Sequence, residues 1–335
     1  MQAMVLVDNA TIQTSPLALA DVADPLPGPG EIRLKVNCCG ICRTDLHVVE
    51  GDLPPRKRPV IPGHQIVGIV ESLGSGCRRF RPGQRVGVAW LRHTCGSCRW
   101  CRSGRENLCG TAEFTGYHSD GGYAELAIVD EQFAYELPDS LTDAEAAPLL
   151  CAGIIGYRAL ERSELPAGGK LGLIGFGSSA HIVLQIARHW GGEVYVATRG
   201  EKHRQLAREL GATWVGEDIS DSPVKLDSAI LFAPVGHLVP PILAALDKGG
   251  TLAIAGIYLT AIPPLDYAKH LFEERTVCSV TANTRDDGRR LLAEAAAAVI
   301  RPQITTYPLS EANRALQDLK EDRINGTGVL MMGDH

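Results

Sequence analysis

Leu171-Gly172-Leu173-Ile174-Gly175-Phe176-Gly177-Ser178-Ser179-Ala180 reads as a short apolar strand, a glycine turn and the start of a helix. Gly175 suits the tight turn and Gly177 lets the backbone approach a pyrophosphate. Ala180 is small enough for the helix to lie close against the strand, which completes the G-x-G-x-x-G/A pattern of a dinucleotide-binding loop. The free N–H groups of the first helical turn, at Ser178 and Ser179, add partial positive charge for phosphates. The same rhythm continues downstream. Apolar runs at 194–197, 228–232 and 251–257 alternate with helical patterns at 178–190, 201–210 and 238–246. Such alternation builds an α/β fold with a doubly wound parallel sheet and helices on both faces.

Upstream the pattern differs. Residues 1–147 form short runs at 31–36, 66–73, 84–89 and 123–129. They are punctuated by Pro27-Gly28-Pro29-Gly30, Pro62-Gly63 and Pro82-Gly83, as expected of a β-rich, barrel-like domain. After residue 282 come an alanine-rich helix at 291–300 and a second near 310–320. This tail is too short for a third domain and is expected to return to the first. The expected division is therefore 1–151 with 282–335, and 152–281 as the dinucleotide-binding domain.

In an NAD site the second strand ends in Asp or Glu, which holds the ribose 2′-hydroxyl. Here that end reads Ala197-Thr198-Arg199-Gly200. Thr198 lacks the charge that rejects a 2′-phosphate, and Arg199 attracts one, so NADP(H) is favoured over NAD(H). The plainer alternative leaves Arg199 in solvent.

The chain has 335 residues, 45% hydrophobic and 21% charged, with a formal charge of −6. That balance argues against a nucleic-acid surface, which needs a basic excess. The first ten residues lack a signal-peptide pattern, and the apolar 171–187 stretch is broken by glycine, serine and His181, so no membrane span is expected. Ten cysteines without an export signal suggest metal use in a cytoplasmic, reducing setting.

Four of them, Cys95, Cys98, Cys101 and Cys109, form a C-x2-C-x2-C-x7-C run. That spacing lets four thiolates surround one zinc and close its coordination sphere, which marks a structural site. Arg99, Arg102 and Arg105 interleave the cysteines and are expected to offset part of the thiolate charge.

A second set is scattered: Cys42, Thr44, Asp45 and His47 in one stretch, His64 in Gly63-His64-Gln65, and Cys151. With these residues the whole chain resembles the zinc-dependent medium-chain dehydrogenase/reductases, close to the alcohol and cinnamyl alcohol dehydrogenases. The resemblance implies a GroES-like catalytic domain and a Rossmann domain. It implies two zinc ions, a catalytic one on Cys42, His64 and Cys151 and a structural one on the four-cysteine run. Asp45 would orient His64, and Thr44 and His47 would relay a proton from a bound alcohol to solvent. The implied activity is hydride transfer between a primary alcohol or aldehyde and NAD(P) in a homodimer or homotetramer.

A polyol or amino-alcohol dehydrogenase, and a nucleotide-sensing zinc protein without turnover, are the alternatives. Gln65 departs from the family's Glu after the zinc-binding histidine, and Gly326-Thr327-Gly328 lacks the Arg that meets cofactor phosphates in some members. Trp90 resembles an aromatic that narrows some substrate pockets, or else belongs to the core. Cys38, Cys39, Cys77 and Cys278 read as buried thiols, and His93, His118 and His181 as structural or surface residues.

Overall fold

The computed structural model describes residues 1–333, so Asp334 and His335, the last two of the 282–335 segment, lie outside the described residues. The chain divides into two compact units. One comprises Met1–Cys151, Ala282–Ala296 and the chain from Pro302 onward; the other comprises Ala152–Thr281 with Ala297–Arg301. The short 297–301 turn departs from the expected division. Gln185 explains it: the side-chain carbonyl accepts from the Arg301 N–H at 2.9 Å and the amide donates to the Arg301 carbonyl at 3.2 Å. No helix among the described residues is long and apolar enough to cross a membrane.

The second unit carries six parallel strands: Lys170–Ile174, Glu193–Ala197, Trp214–Gly216, Leu226–Leu231, Leu246–Ile254 and Thr276–Ser279. Numbered along the chain, their spatial order is 3-2-1-4-5-6, the Rossmann arrangement. The helix Ser178–His189 buries Ala180, His181, Ile182, Val183, Leu184, Ile186 and Ala187, a wider face than a single stripe. It packs on the first two strands of the sheet and against the helix Ile154–Arg162, which itself rests on the strand Leu246–Ile254. Gly156 permits the close approach, since a Cβ there would sit 2.6 Å from Val183 Cγ2.

The first unit is built on a seven-stranded sheet centred on the long strand Glu31–Gly40. It pairs antiparallel with Gln65–Leu73, Leu126–Asp130 and Thr327–Met331. Buried Ile32, Leu34, Val36, Ile66, Val70, Val86, Val88 and Val129 form its core with the fully buried Tyr123. The register decides what meets at the sheet's end. Gly40 pairs with Gln65 and Ile66 with Val88, so Cys42, His64 and Trp90, each one or two residues beyond a paired position, arrive together.

The alanine-rich helix runs Arg285–Ala297 and starts six residues earlier than its periodicity predicts. Its start is set by polar bonds: the Asp287 carboxylate accepts from the Thr284 N–H and hydroxyl, both at 2.7 Å. Arg285 also donates to Glu106 through backbone and guanidinium, which ties this helix to the cysteine-rich loop.

Gly63 has φ +96°, and a Cβ on it would lie 2.3 Å from Tyr123 Cδ1 and 2.9 Å from Cys39 Sγ. Gly63→Ala combines left-handed strain with overpacking beside His64. The melting temperature should fall by about 5 °C or more in a calorimetric scan, and an unchanged value would refute this account.

Candidate metal and dinucleotide sites

Cys42 stands at the N-cap of the helix Arg43–Glu50, which follows directly from the central strand. Its Sγ accepts from the Thr44 N–H at 3.4 Å, and its own N–H donates to Asp45 Oδ2 at 2.9 Å. The other Asp45 oxygen accepts from His64 Nδ1 at 2.8 Å, between side chains almost wholly buried. That bond fixes the imidazole with Nε2 facing the cysteines. His64 Nε2 is buried and has no hydrogen-bond partner in the protein.

Cys151 reaches the same place from a separate segment of the chain. The helix Asp143–Pro148 begins with a Thr142–Glu145 capping box and is held to the strands by Arg85, which donates to Asp143 at 2.6 Å and to the Leu141 carbonyl at 2.8 Å. It continues as a π-helical turn over Leu149–Gly153. Leu149 and Leu150 are fully buried, Leu150 against Gly87, and they aim the next residue, Cys151, at Cys42. The two sulfurs are 3.9 Å apart, and the ligand atoms of Cys42, His64 and Cys151 all lie within 4.8 Å of one another.

A tetrahedron with metal–sulfur bonds of about 2.3 Å has edges of about 3.8 Å, so this spacing suits a zinc ion. The charges agree. The Cys42 thiol is held well below its ordinary value, first by the hydrogen bond from Cys151 and then by His64. Burial pushes His64 down, but the Asp45 charge and hydrogen bond, with Cys42, outweigh it and raise it to about 10. A cation entering the cluster would replace the protons held there. The orphaned Nε2 and two converging thiols fit a metal better than they fit a closed polar core.

The four remaining predicted sulfurs also converge. Cys98 and Cys101 are 3.5 Å apart, Cys95 and Cys109 3.6 Å, and Cys95 and Cys101 3.9 Å. Gly96, at φ +68°, turns the chain so that the Cys98 N–H donates to Cys95 Sγ at 3.3 Å, while the Cys95 N–H donates to Cys109 Sγ at 3.4 Å. The Cys95 thiol is lowered to about 6 by N–H donation from Ser97 and Cys98. Arg99 and Arg105 lie over the Trp100 indole, 4.2 and 4.6 Å from its centroid. Their positive charges therefore stay beside the loop at positions set by stacking.

Thr44, buried in the first turn of its helix, precedes His47 by three residues and shares its face. His47 Nδ1 lies 2.7 Å from Asp52 Oδ2, and its side chain is 24% exposed. Nothing in the sequence pattern marks Asp52; the left-handed turn at Gly51 brings it back onto the helix. Trp90 meets the His64 ring edge-on at 4.9 Å and stacks on Phe114 and Tyr117 at 4.9 and 5.9 Å. Gln65 is buried with neither amide atom hydrogen-bonded, in space that Gly40 leaves open: a Cβ there would lie 3.0 Å from its amide.

At the dinucleotide loop, Gly175 has φ +86°, and a Cβ on it would sit 2.9 Å from the Ala233 nitrogen. Gly177 is exposed with open space beside it, whereas Ala180 is fully buried. A turn closed on one side and bare on the other fits a pyrophosphate at the start of Ser178–His189. His181 is buried beneath it, its Nδ1 bonded to the Gly177 carbonyl at 3.2 Å. Thr198 is buried and Arg199 exposed. Of the thiols expected in the core, Cys38 and Cys39 are buried, while Cys77 and Cys278 are only half-buried.

The family model for the alcohol dehydrogenase GroES-like domain matches residues 28–139, and that for zinc-binding dehydrogenases matches residues 180–297. The probable alcohol dehydrogenase AdhA of Mycobacterium tuberculosis is 53% identical over 326 residues, 96% of this chain and 94% of its own. The chain belongs to the zinc-binding alcohol dehydrogenase family. An alcohol dehydrogenase of Geobacillus stearothermophilus is 34% identical to this dehydrogenase over 325 residues, 94% of this chain and 96% of its own. Among solved structures, the Helicobacter pylori enzyme described as CAD complexed with NADP(H) superposes with a TM-score of 0.88 at 25% identity, covering 99% of each chain.

Asp45→Asn removes the charge behind His64 while keeping the side chain's shape. Zinc retention by the Cys42, His64 and Cys151 cluster against a graded chelator should weaken about 10- to 100-fold. Wild-type retention would show that Asp45 acts only as a helix cap.

Proposed function

We propose that this dehydrogenase interconverts primary alcohols and their aldehydes and prefers NADP(H) to NAD(H). Cys42, His64 and Cys151 hold the catalytic zinc, and Cys95, Cys98, Cys101 and Cys109 hold a structural one. The observation that carries the reading is the buried, unpartnered His64 Nε2 converging with two thiols. Three protein donors leave one coordination position for substrate, whereas four thiols leave none. When bound, zinc supplies Lewis-acid polarisation of the substrate oxygen and the nicotinamide exchanges the hydride.

The chain's own residues manage the proton and the pocket. The Thr44 hydroxyl accepts the substrate's proton and passes its own along the helix face to His47. His47, partly exposed and held at Nδ1 by Asp52, delivers it to solvent. Asp45 keeps His64 in the tautomer that leaves Nε2 free to ligate. Gly175, Gly177, Ser178, Ser179 and Ala180 take the pyrophosphate, with Thr198 and Arg199 at the ribose. Gln65 brings no charge near the metal, so the thiolates and the Asp45 carboxylate supply the local negative field. The family reading extends to a homodimer or homotetramer, and ten unpaired thiols support a reducing, cytoplasmic setting.

Metal analysis and an alcohol and aldehyde panel with both cofactors test the proposal. Two zinc ions per chain and aldehyde-dependent NADPH oxidation are expected. One zinc and no turnover on any substrate would sink it in favour of a non-catalytic nucleotide sensor.

Trp90, beside the His64 ring, is assigned to the substrate wall. Trp90→Ala should raise kcat/KM for bulky aromatic alcohols about tenfold and lower it for ethanol-sized ones, since pocket contacts of this size discriminate by about 1–3 kcal/mol. An unchanged substrate profile would return Trp90 to a purely structural role.

A further inference from the structure

Arg204, on the helix Glu201–Glu209, directs its guanidinium back at the end of the second parallel strand. Nη1 donates to the Arg199 carbonyl at 2.9 Å, to the Thr198 carbonyl at 3.3 Å and to the Glu217 carboxylate. Nε and Nη2 meet the Glu201 carboxylate at 2.9 and 2.7 Å. One side chain thus grips both carbonyls of the turn and two carboxylates from different segments. Glu217 belongs here because Ala197 pairs with Gly216 and the Thr198 N–H donates to the Gly216 carbonyl, which places the two strand ends side by side.

The arrangement has an electrostatic consequence. The second strand's end is where a Rossmann site meets the ribose 2′ group. Glu201 and Glu217 are 65% and 69% exposed, yet both are engaged by Arg204, and Arg208 takes the second Glu201 oxygen at 2.9 Å. Among the described residues, Arg199 and Lys202 have no ion pair, and both are exposed. The carboxylates beside this turn are neutralised, and two cations are left unspent.

We infer that Arg204 is a specificity-determining positioning residue: by fixing the 198–201 turn and occupying Glu201 and Glu217, it leaves Arg199 and Lys202 free to receive a 2′-phosphate. The inference rests on the NADP(H) preference proposed above and explains how the turn sustains it. Without Arg204, two carboxylates would face a phosphate dianion, and like charges would oppose binding at any ionic strength that does not screen them. NADH, which lacks that phosphate, would feel little of this.

Calorimetric titration of NADPH and NADH into the zinc-loaded wild type, Arg204→Ala and Arg204→Ala/Glu201→Gln/Glu217→Gln separates the possibilities. Arg204→Ala should raise the NADPH Kd about tenfold or more and the NADH Kd less than about twofold, with the NADPH loss shrinking at high salt. Neutralising the two glutamates in the same background should recover most of the NADPH affinity. Should Arg204→Ala fail to fold, Arg204→Lys reads the same ratio, because one ammonium cannot bridge two carboxylates and two carbonyls. Equal losses for both cofactors, no loss for either, or no recovery in the triple variant would overturn the inference. A wild type that binds NADH as tightly as NADPH would instead refute the cofactor preference, and that is read before any variant is made.

Discussion

The Asp45 carboxylate accepts from the Cys42 N–H with one oxygen and from His64 Nδ1 with the other. The first bond closes the N-cap of the helix Arg43–Glu50 and fixes the direction in which Cys42 and Thr44 leave the strand. The second sets the plane and tautomer of His64. One buried anion therefore couples a helix start to an imidazole 19 residues away. Removing water from such a group is costly unless both oxygens are satisfied, and here they are. Both of these orienting bonds are made between groups of the fold itself, one to a backbone N–H and one to an imidazole.

Sheet register supplies the rest of that convergence. Gly40 opposite Gln65, and Ile66 opposite Val88, bring three segments to one end of one sheet. A slip of one residue in either pairing would exchange the faces of the strand and carry His64 away from Cys42. The close approaches around Gly63, Gly116 and Gly121 oppose such a slip. A Cβ on Gly116 or Gly121 would fall 2.8 or 2.0 Å from the Gly63 backbone, so the 116–121 segment and the turn that carries His64 must fit backbone to backbone. Tyr123, fully buried over Gly63, fills the remaining volume. The site's precision thus originates in packing several residues away from any ligand atom.

Much of this was legible in the residue order, and the reasons differ from place to place. The four-cysteine run announced itself because its chemistry is local: short spacings alone bring the sulfurs together. The dinucleotide loop was legible because a strand, two glycines and a helix follow in register with one another, and the 3-2-1-4-5-6 sheet agrees with that pattern. Cys42, His64 and Cys151 were different. Their spacing carries no metal signature, and only the family resemblance joined them. Residues whose partners are distant stayed hidden. Asp52 is unremarkable until the Gly51 turn places it on His47, and Glu217 has no meaning until parallel pairing sets it beside Thr198. Helix boundaries failed where side-chain capping overrode periodicity, as Thr284 and Asp287 show by starting a helix ahead of its alanine stripe.

Arginine serves three separate purposes here, and the contrast explains why lysine would not replace it. Arg85 joins Asp143 to two loop carbonyls and so holds the helix that leads to Cys151. Arg285 engages both oxygens of Glu106 while its guanidinium lies over Phe133, at 4.6 Å from the ring centroid, anchoring the loop that carries the four cysteines. Arg204 grips the turn after the second Rossmann strand. In each case a planar group with several donors ties a carboxylate to backbone carbonyls or to an aromatic face, a combination that a single ammonium cannot match. None of these contacts is made by a sulfur or imidazole of the two cysteine-containing clusters, yet each fixes one boundary of a site. Electrostatic cost follows the same division: the Asp45 carboxylate is satisfied by a backbone N–H and an imidazole beside the two cysteines, while Asp143, Glu106 and Glu217 are satisfied by guanidinium groups.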